Sequence, residues 1–337
     1  MSTTCAAVRV RKTSILSLLL VLFLAPSCAS RQGTPAPSPS TEVAPVHSGT
    51  IAFALVGPNN LDDIYLIHTD GTGLTRLTET NTSAEAPAWS PDGTKIAYHM
   101  CPCLPEDASR PYNVWVMNAD GSEKQQLTHG PLGGCLPAWS PDGTKIAFST
   151  MPSEEAGPAQ IYVMNSDGIN PQRVTNGPAH DLFPSWAPNG TIVFLRKART
   201  FDSSYTGAFA GLDSSFGALF AINPDGSGLV SLSAMDKIGG YALSPDGNKI
   251  AIHDLEQHRI VILPALANST PVTLVDTDFG FNFIKIAWSP DGKALALAKS
   301  ALIGYEALEL HIVNADGSGL VTVPNAKAVM DVAWRPQ

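Results

Sequence analysis

The chain has 337 residues, 44% apolar and 15% charged, which is enough to bury a sizeable core and too apolar for a chain disordered throughout. Lys and Arg number 21 against 30 Asp and Glu, and the first 27 residues hold three of the basic residues and no acid, leaving 18 against 30 beyond them. That acidic surplus argues against a general nucleic-acid binder. The 28 Gly and 27 Pro demand many turns and favour short strands over long helices.

At the N-terminus, Arg9, Arg11 and Lys12 precede an apolar run from Ile15 to Ala25, followed by Pro26, Ser27 and Cys28. This is the order of a secretory signal, assigned to residues 1–27. The run is about half of the roughly 20 residues that span a bilayer. Small residues ending in Cys28 resemble a bacterial lipobox, with Ala25 where Leu is usual. The resemblance implies a lipid-modified Cys28 and an extracytoplasmic, lipid-anchored protein of the cell envelope; ordinary signal-peptidase cleavage is the alternative. Ala29 after the cysteine points to the outer membrane if the host is diderm. Residues 28–49 are rich in Pro and Ser and read as a semi-extended spacer.

The remainder is dominated by one repeat. Ala88-Trp89-Ser90-Pro91-Asp92-Gly93-Thr94-Lys95-Ile96-Ala97-Tyr98 recurs almost unchanged at Ala138–Phe148, and more loosely at Ser185–Phe194, Ala242–Ile252 and Ala287–Leu297. Trp89, Trp139, Trp186, Leu243, Trp288 and Trp334 mark the copies, at intervals of 50, 47, 57, 45 and 46. Such a period indicates stacked supersecondary units. Ser-Pro-Asp-Gly is a tight turn: Pro presets φ, Asp bonds nearby N–H groups and Gly takes the left-handed conformation. The flanking apolar runs read as strands A, before the turn, and B, after it. A second run ending in Asp-Gly, as at Val114–Gly121, is strand C, and segments such as Gln125–Thr128 are strand D. Four strands per unit make a propeller blade. Strands B, C and D start the series at Thr50–Val56, Ile64–His68 and Leu74–Thr78, whereas Val332–Pro336 supply a lone strand A. The expected fold is therefore all-β: a six-bladed propeller over residues 50–337, closed by pairing of its first and last strands.

Trp-Ser-Pro-Asp-Gly and Asn-Ala-Asp-Gly in alternation resemble the PD40 (WD40-like) repeats of TolB-like propellers. The resemblance covers residues 50–337 with five good copies and a split sixth. It implies the six-bladed fold and little about activity. Tol-system members carry an α/β domain ahead of the propeller, where this sequence shows only the spacer, and peptidases with similar repeats need a hydrolase domain for which there is no room.

Strand alternation places the uniform A–B and C–D turns on one face and the variable B–C and D–A connections on the other, the expected binding face. The longest connection carries Phe201, Tyr205, Phe209 and Phe216, an aromatic platform or lid, or a plug over the channel. Cys101, Cys103 and Cys135 converge on this rim, and a disulfide of Cys135 with Cys101 or Cys103 is expected outside the cytoplasm. His99 and His129 lie near them, but C-x-C is not zinc-finger spacing and no metal is assigned. His129, His180 and Asp181 are candidate polar residues at the channel mouth, with Glu85, Asp107, Lys197 and Arg199 in the same group. No hydrolase or nucleotide-binding motif is present, and no cofactor is implied. The expectation is a monomeric, non-catalytic scaffold for an envelope protein, peptide or glycan. A glycan lyase or hydrolase, or a purely structural module, are the alternatives.

Overall fold

The structure is a computed structural model. It describes residues 47–57, 61–79, 81–101, 112–130, 133–150, 157–197, 217–233, 235–264, 272–276, 283–300, 309–327 and 329–337. Strands β1 (Thr50–Val56), β2 (Asp62–His68) and β3 (Thr75–Arg76) begin the first blade. The second is β4 (Ser83–Trp89), β5 (Lys95–Cys101), β6 (Asn113–Asn118) and β7 (Gln125–Gln126). The third is β8 (Cys135–Trp139), β9 (Lys145–Ser149), β10 (Ile161–Asn165) and β11 (Gln172–Arg173). The fourth is β12 (His180–Trp186), β13 (Ile192–Lys197), β14 (Ala218–Ile222) and β15 (Val230–Ser231). The fifth is β16 (Ile238–Leu243), β17 (Lys249–Asp254), β18 (Arg259–Pro264) and β19 (Val272–Asp276). The sixth is β20 (Phe283–Trp288), β21 (Ala294–Ser300), β22 (Glu309–Asn314) and β23 (Val321–Lys327), and β24 (Val329–Trp334) ends the chain.

These form six four-stranded antiparallel sheets, and β24 joins β1, β2 and β3 as the innermost strand of the first. Trp334 pairs with Ile51, Ala333 with Ala52 and Val332 with Phe53, and Arg335 N–H donates to Thr50 O at 2.9 Å. The fold is the expected six-bladed β-propeller with its two chain ends in one blade.

The repeated turns explain themselves chemically. Ser90 Oγ donates to Asp92 Oδ1 at 2.6 Å, Thr94 N–H donates to the same oxygen at 3.0 Å, and Lys95 N–H donates to Ser90 Oγ at 2.9 Å. Ser140, Asp142 and Lys145 repeat this, as do Ser244, Asp246 and Lys249. The Asp carboxylates are thus engaged by the turn itself, and these bonds to Ser and Thr hold Asp142 down at about 2. Ala119 N–H donates to Thr94 O, Ser166 N–H to Thr144 O and Ala315 N–H to Lys293 O, so each A–B turn sits beside the C–D turn of its own blade.

The core lies between blades. Six apolar clusters each combine two neighbouring sheets, for example Ala52, Ile64 and Leu77 with Trp89, Ile96 and Tyr98. Four of the marker tryptophans stitch seams, whereas the buried Trp334 Nε1 has no hydrogen-bond partner among the described residues. Indole N–H groups donate from Trp89 to Ala333 O, Trp139 to Ala88 O, Trp186 to Ala138 O and Trp288 to Ala242 O, at 3.0–3.3 Å, each reaching the preceding blade. Leu243 has no such donor. There the Tyr241 hydroxyl, two residues earlier, bridges the fifth blade to the fourth at Phe183 O (2.7 Å) and Val193 O (2.8 Å).

Candidate functional site

The innermost strands line the central channel, and their first halves face the rim of the B–C and D–A connections. In β4, β8 and β12 a non-glycine residue before a proline has left-handed φ: Ala86 (52°), Leu136 (55°) and Phe183 (56°). Pairing slips at each place, between Glu85 and Ala88, Cys135 and Ala138, and Leu182 and Ser185. Bulges of this kind re-aim side chains. Counting three residues back from each marker gives Ala86, Leu136, Phe183, Gly240, Lys285 and Asp331, one per blade.

The last two of these begin a polar cluster. Lys285 Nζ lies 3.2 Å from Asp331 Oδ1 and 4.3 Å from the centre of the Phe183 ring, so one ammonium ties the sixth blade to the first and the fourth. Asp331 Oδ2 accepts from Ala86 N–H at 3.3 Å. On the same rim the Asp62 carboxyl lies close enough to that of Glu85 for each to act on the other, and Asp62 N–H donates to Ser83 Oγ at 3.0 Å. Burial, then the charge of Glu85 beside it, pushes the Asp62 carboxyl up to about 7. Burial also pushes Glu85 upward, but His99, Asp62 and Lys285 together outweigh it and hold Glu85 below the usual carboxylate range. The pair therefore keeps one proton near neutrality, and it resides on Asp62. Glu85 is 24% exposed, towards the channel. Behind it His99 is only 1% exposed, with Nε2 3.7 Å from Glu85 Oε2. Leu136 N–H donates to His99 Nδ1 at 3.5 Å, which leaves the proton of the neutral ring on Nε2, aimed at Glu85.

Beside this cluster Phe183, Leu195, Tyr241, Lys285, Ile286 and Val332 line a cavity of about 70 Å³, room for a few waters rather than a substrate. Among the described residues no three His, Cys, Asp or Glu side chains converge as a metal site.

The residues singled out from sequence are dispersed. His180 and Asp181 open β12 and are 2% and 1% exposed. His180 Nδ1 accepts from Ala159 N–H at 3.1 Å. Asp181 takes Arg196 Nε (2.7 Å) and Nη2 (2.9 Å), and that guanidinium stacks 4.8 Å from the Phe220 ring. His129 is exposed on the D–A connection after the second blade and is not brought to them. Lys197 is buried at the end of β13. Cys135 Sγ is buried and donates to Ser149 O at 3.4 Å, and burial drives its thiol pKa up. Cys101 ends β5, but its side chain, Cys103, Asp107, Arg199, Cys28 and the aromatic series Phe201, Tyr205, Phe209 and Phe216 lie outside the described residues. Asp62, Lys285 and Asp331 went unremarked in the sequence. Aligning the repeats on their tryptophans reveals the latter two, as charges where other blades carry Ala, Leu, Phe or Gly.

The family model for PD40, TolB beta propeller domain, matches residues 104–208. Over that segment the chain is similar to the TolB beta propeller domain. TolB from Acinetobacter baumannii superposes with a TM-score of 0.66 at 21% identity, covering 86% of this chain and 67% of that one. Putative TolB from Agrobacterium tumefaciens gives 0.58 at 17%, covering 86% and 99%. A chain of a nidogen/laminin complex gives 0.62 at 12%, covering 85% and 98%. No curated protein matches the sequence. At these identities the likeness to TolB-like structures is one of fold, and function rests on the site.

Proposed function

We propose that the protein is a non-catalytic binding scaffold of the cell envelope, anchored through a lipidated Cys28, that receives a partner protein or peptide on the face of its B–C and D–A connections. The observation that carries this reading is the rim cluster of Asp62, Glu85, His99, Lys285 and Asp331, assembled from three blades on the face where connection length and sequence vary. The uniform turn face, by contrast, engages its carboxylates internally. A glycan hydrolase is disfavoured by the same geometry. Its two carboxyls flank a glycosidic bond with room for the sugar between them, whereas Asp62 and Glu85 act directly on each other's ionisation. TolB-like folds and an envelope location go together in this reading, and the signal-like N-terminus supports it.

Crosslinking in intact envelopes tests the face. A chain lacking residues 201–216, or carrying Glu85→Gln, should lose its crosslinked partner, while Asp120→Asn on the turn face should keep it. Loss only with the turn-face variant would overturn the assignment. Cys28→Ala should release the protein from the membrane fraction, and unchanged fractionation would remove the lipid anchor.

A further inference from the structure

The two carboxyls at the channel rim face each other with too few donors between them. Among the described residues Asp62 Oδ1 is buried and has no hydrogen-bond partner, and neither has His99 Nε2, which is buried and lies 3.7 Å from Glu85 Oε2. Glu85 remains open to the channel. The charged groups that face the pair are His99 from β5, Lys285 from β20, Asp331 from β24 and the neutral Cys135 thiol from β8. Of these only Lys285 is a fixed cation, and it is already held by Asp331 and the Phe183 ring. Two acceptors with a single proton between them suit a group that brings several N–H donors and a positive charge. A net charge of −9 favours the approach of such a group.

We infer that the Asp62–Glu85 pair is the seat of a cationic side chain, the ammonium or guanidinium of a partner peptide entering the channel mouth. The inference rests on the proposed partner-binding face and assigns the chemistry recognised there. The displaced proton leaves Asp62 for solvent, Asp62 and Glu85 both become carboxylates, and His99 Nε2–H supports Glu85 from behind. Binding is then proton-linked. One proton is released per peptide while Asp62 is protonated in the free protein, that is, below about pH 7, and none is released well above it.

The test uses the full chain and a blocked tripeptide amide with central lysine, its glutamine and glutamate counterparts, and putrescine as a free diamine. Calorimetry in buffers of different ionisation enthalpy counts the protons. The lysine peptide should bind in preference to the other two, release close to one proton at mildly acid pH, and tighten about tenfold per pH unit before levelling off near neutrality. Asp62→Asn should abolish the proton release and flatten the pH dependence, and Glu85→Gln should weaken the lysine peptide at least about tenfold. If either variant fails to fold, as judged by its melting transition, the proton count of the unmodified chain still decides. Equal binding of the glutamine peptide, absence of proton release, or no binding by the lysine peptide overturns the inference. Binding of putrescine without the lysine peptide also overturns it, in favour of a small polyamine. A crosslinked partner that still maps to this face after such a result leaves the scaffold reading intact, so the two fail separately.

Discussion

Replacing Tyr241 with Phe removes one oxygen and leaves the ring in place. That oxygen bridges the fifth blade to the fourth beside the position where four other seams use an indole. Its single hydrogen is shared by Phe183 O at 2.7 Å and Val193 O at 2.8 Å, and burial keeps the phenol protonated. Phe183 has left-handed φ at a bulge, so its carbonyl has left the regular ladder and depends on this hydroxyl. Stranding buried carbonyls costs about 1–3 kcal/mol. In a domain of this size each kcal/mol moves the melting temperature by about 2–4 °C, which predicts a fall of roughly 2–12 °C in calorimetry. Leu243→Trp, added to Tyr241→Phe, should recover part of the loss by restoring the indole donor towards Ser185 O. An unchanged melting temperature for Tyr241→Phe, or no recovery in the double variant, would refute the argument that this seam relies on the Tyr241 hydroxyl.

Three further outcomes follow from the packing. His253 is fully buried with neither ring nitrogen bonded among the described residues, and burial, reinforced by nearby His258, lowers it to about 4 from 6.5. The unfolded chain binds the extra proton, so stability falls by ~3 kcal/mol as pH drops through that window. Asp62 has the opposite sign: its raised value makes stability fall as pH rises from 3.8 to about 7. Urea titrations of His253→Leu across pH 4–7 should therefore expose the Asp62 slope alone, and a profile parallel to the unmodified protein would contradict the assignment. Gly71→Ala should cost more than Gly190→Ala by thermal unfolding. Both have φ above +80°, but a Cβ at Gly71 would meet Pro324 O at 2.7 Å across the seam between the sixth and first blades, while nothing lies within 4 Å at Gly190; Gly190 should lose only the ~1–2 kcal/mol of a left-handed residue. Asp181→Ala leaves the half-buried Arg196 guanidinium without its carboxylate and should destabilise by ~3 kcal/mol, whereas His129→Ala, at an exposed position, should stay within ~0.5 kcal/mol.

Blade number, strand order and closure were legible because each A–B hairpin carries its own turn chemistry in consecutive residues, Ser90 to Lys95 being the type. Strand D was less so. The run Gln125–Thr128 forms a ladder only at Gln125–Gln126, because Thr128 Oγ1 leaves the edge to accept from Val114 N–H at 2.9 Å. No motif announced β19. The rim cluster was the hardest part to read. Glu85 was noticed as a loop residue, yet it belongs to β4 and pairs with His99. Its companions Lys285 and Asp331 are distant in sequence and meet only because a ring brings the sixth blade beside the first. His180 and Asp181 looked equally promising, but an Arg side chain and a backbone amide had already claimed them.

The join between β1 and β24 also governs the order of assembly. The inner edge of β1, with Ile51 and Phe53 fully buried in the finished ring, has no partner until Val329–Trp334 have been synthesised. Five blades can stack as translation proceeds, but the annulus locks only with its last strand, and until then an apolar sheet edge stays available for mispairing with other chains. A chaperone that shields a single β-edge would thus act on this protein late, at the moment of ring closure.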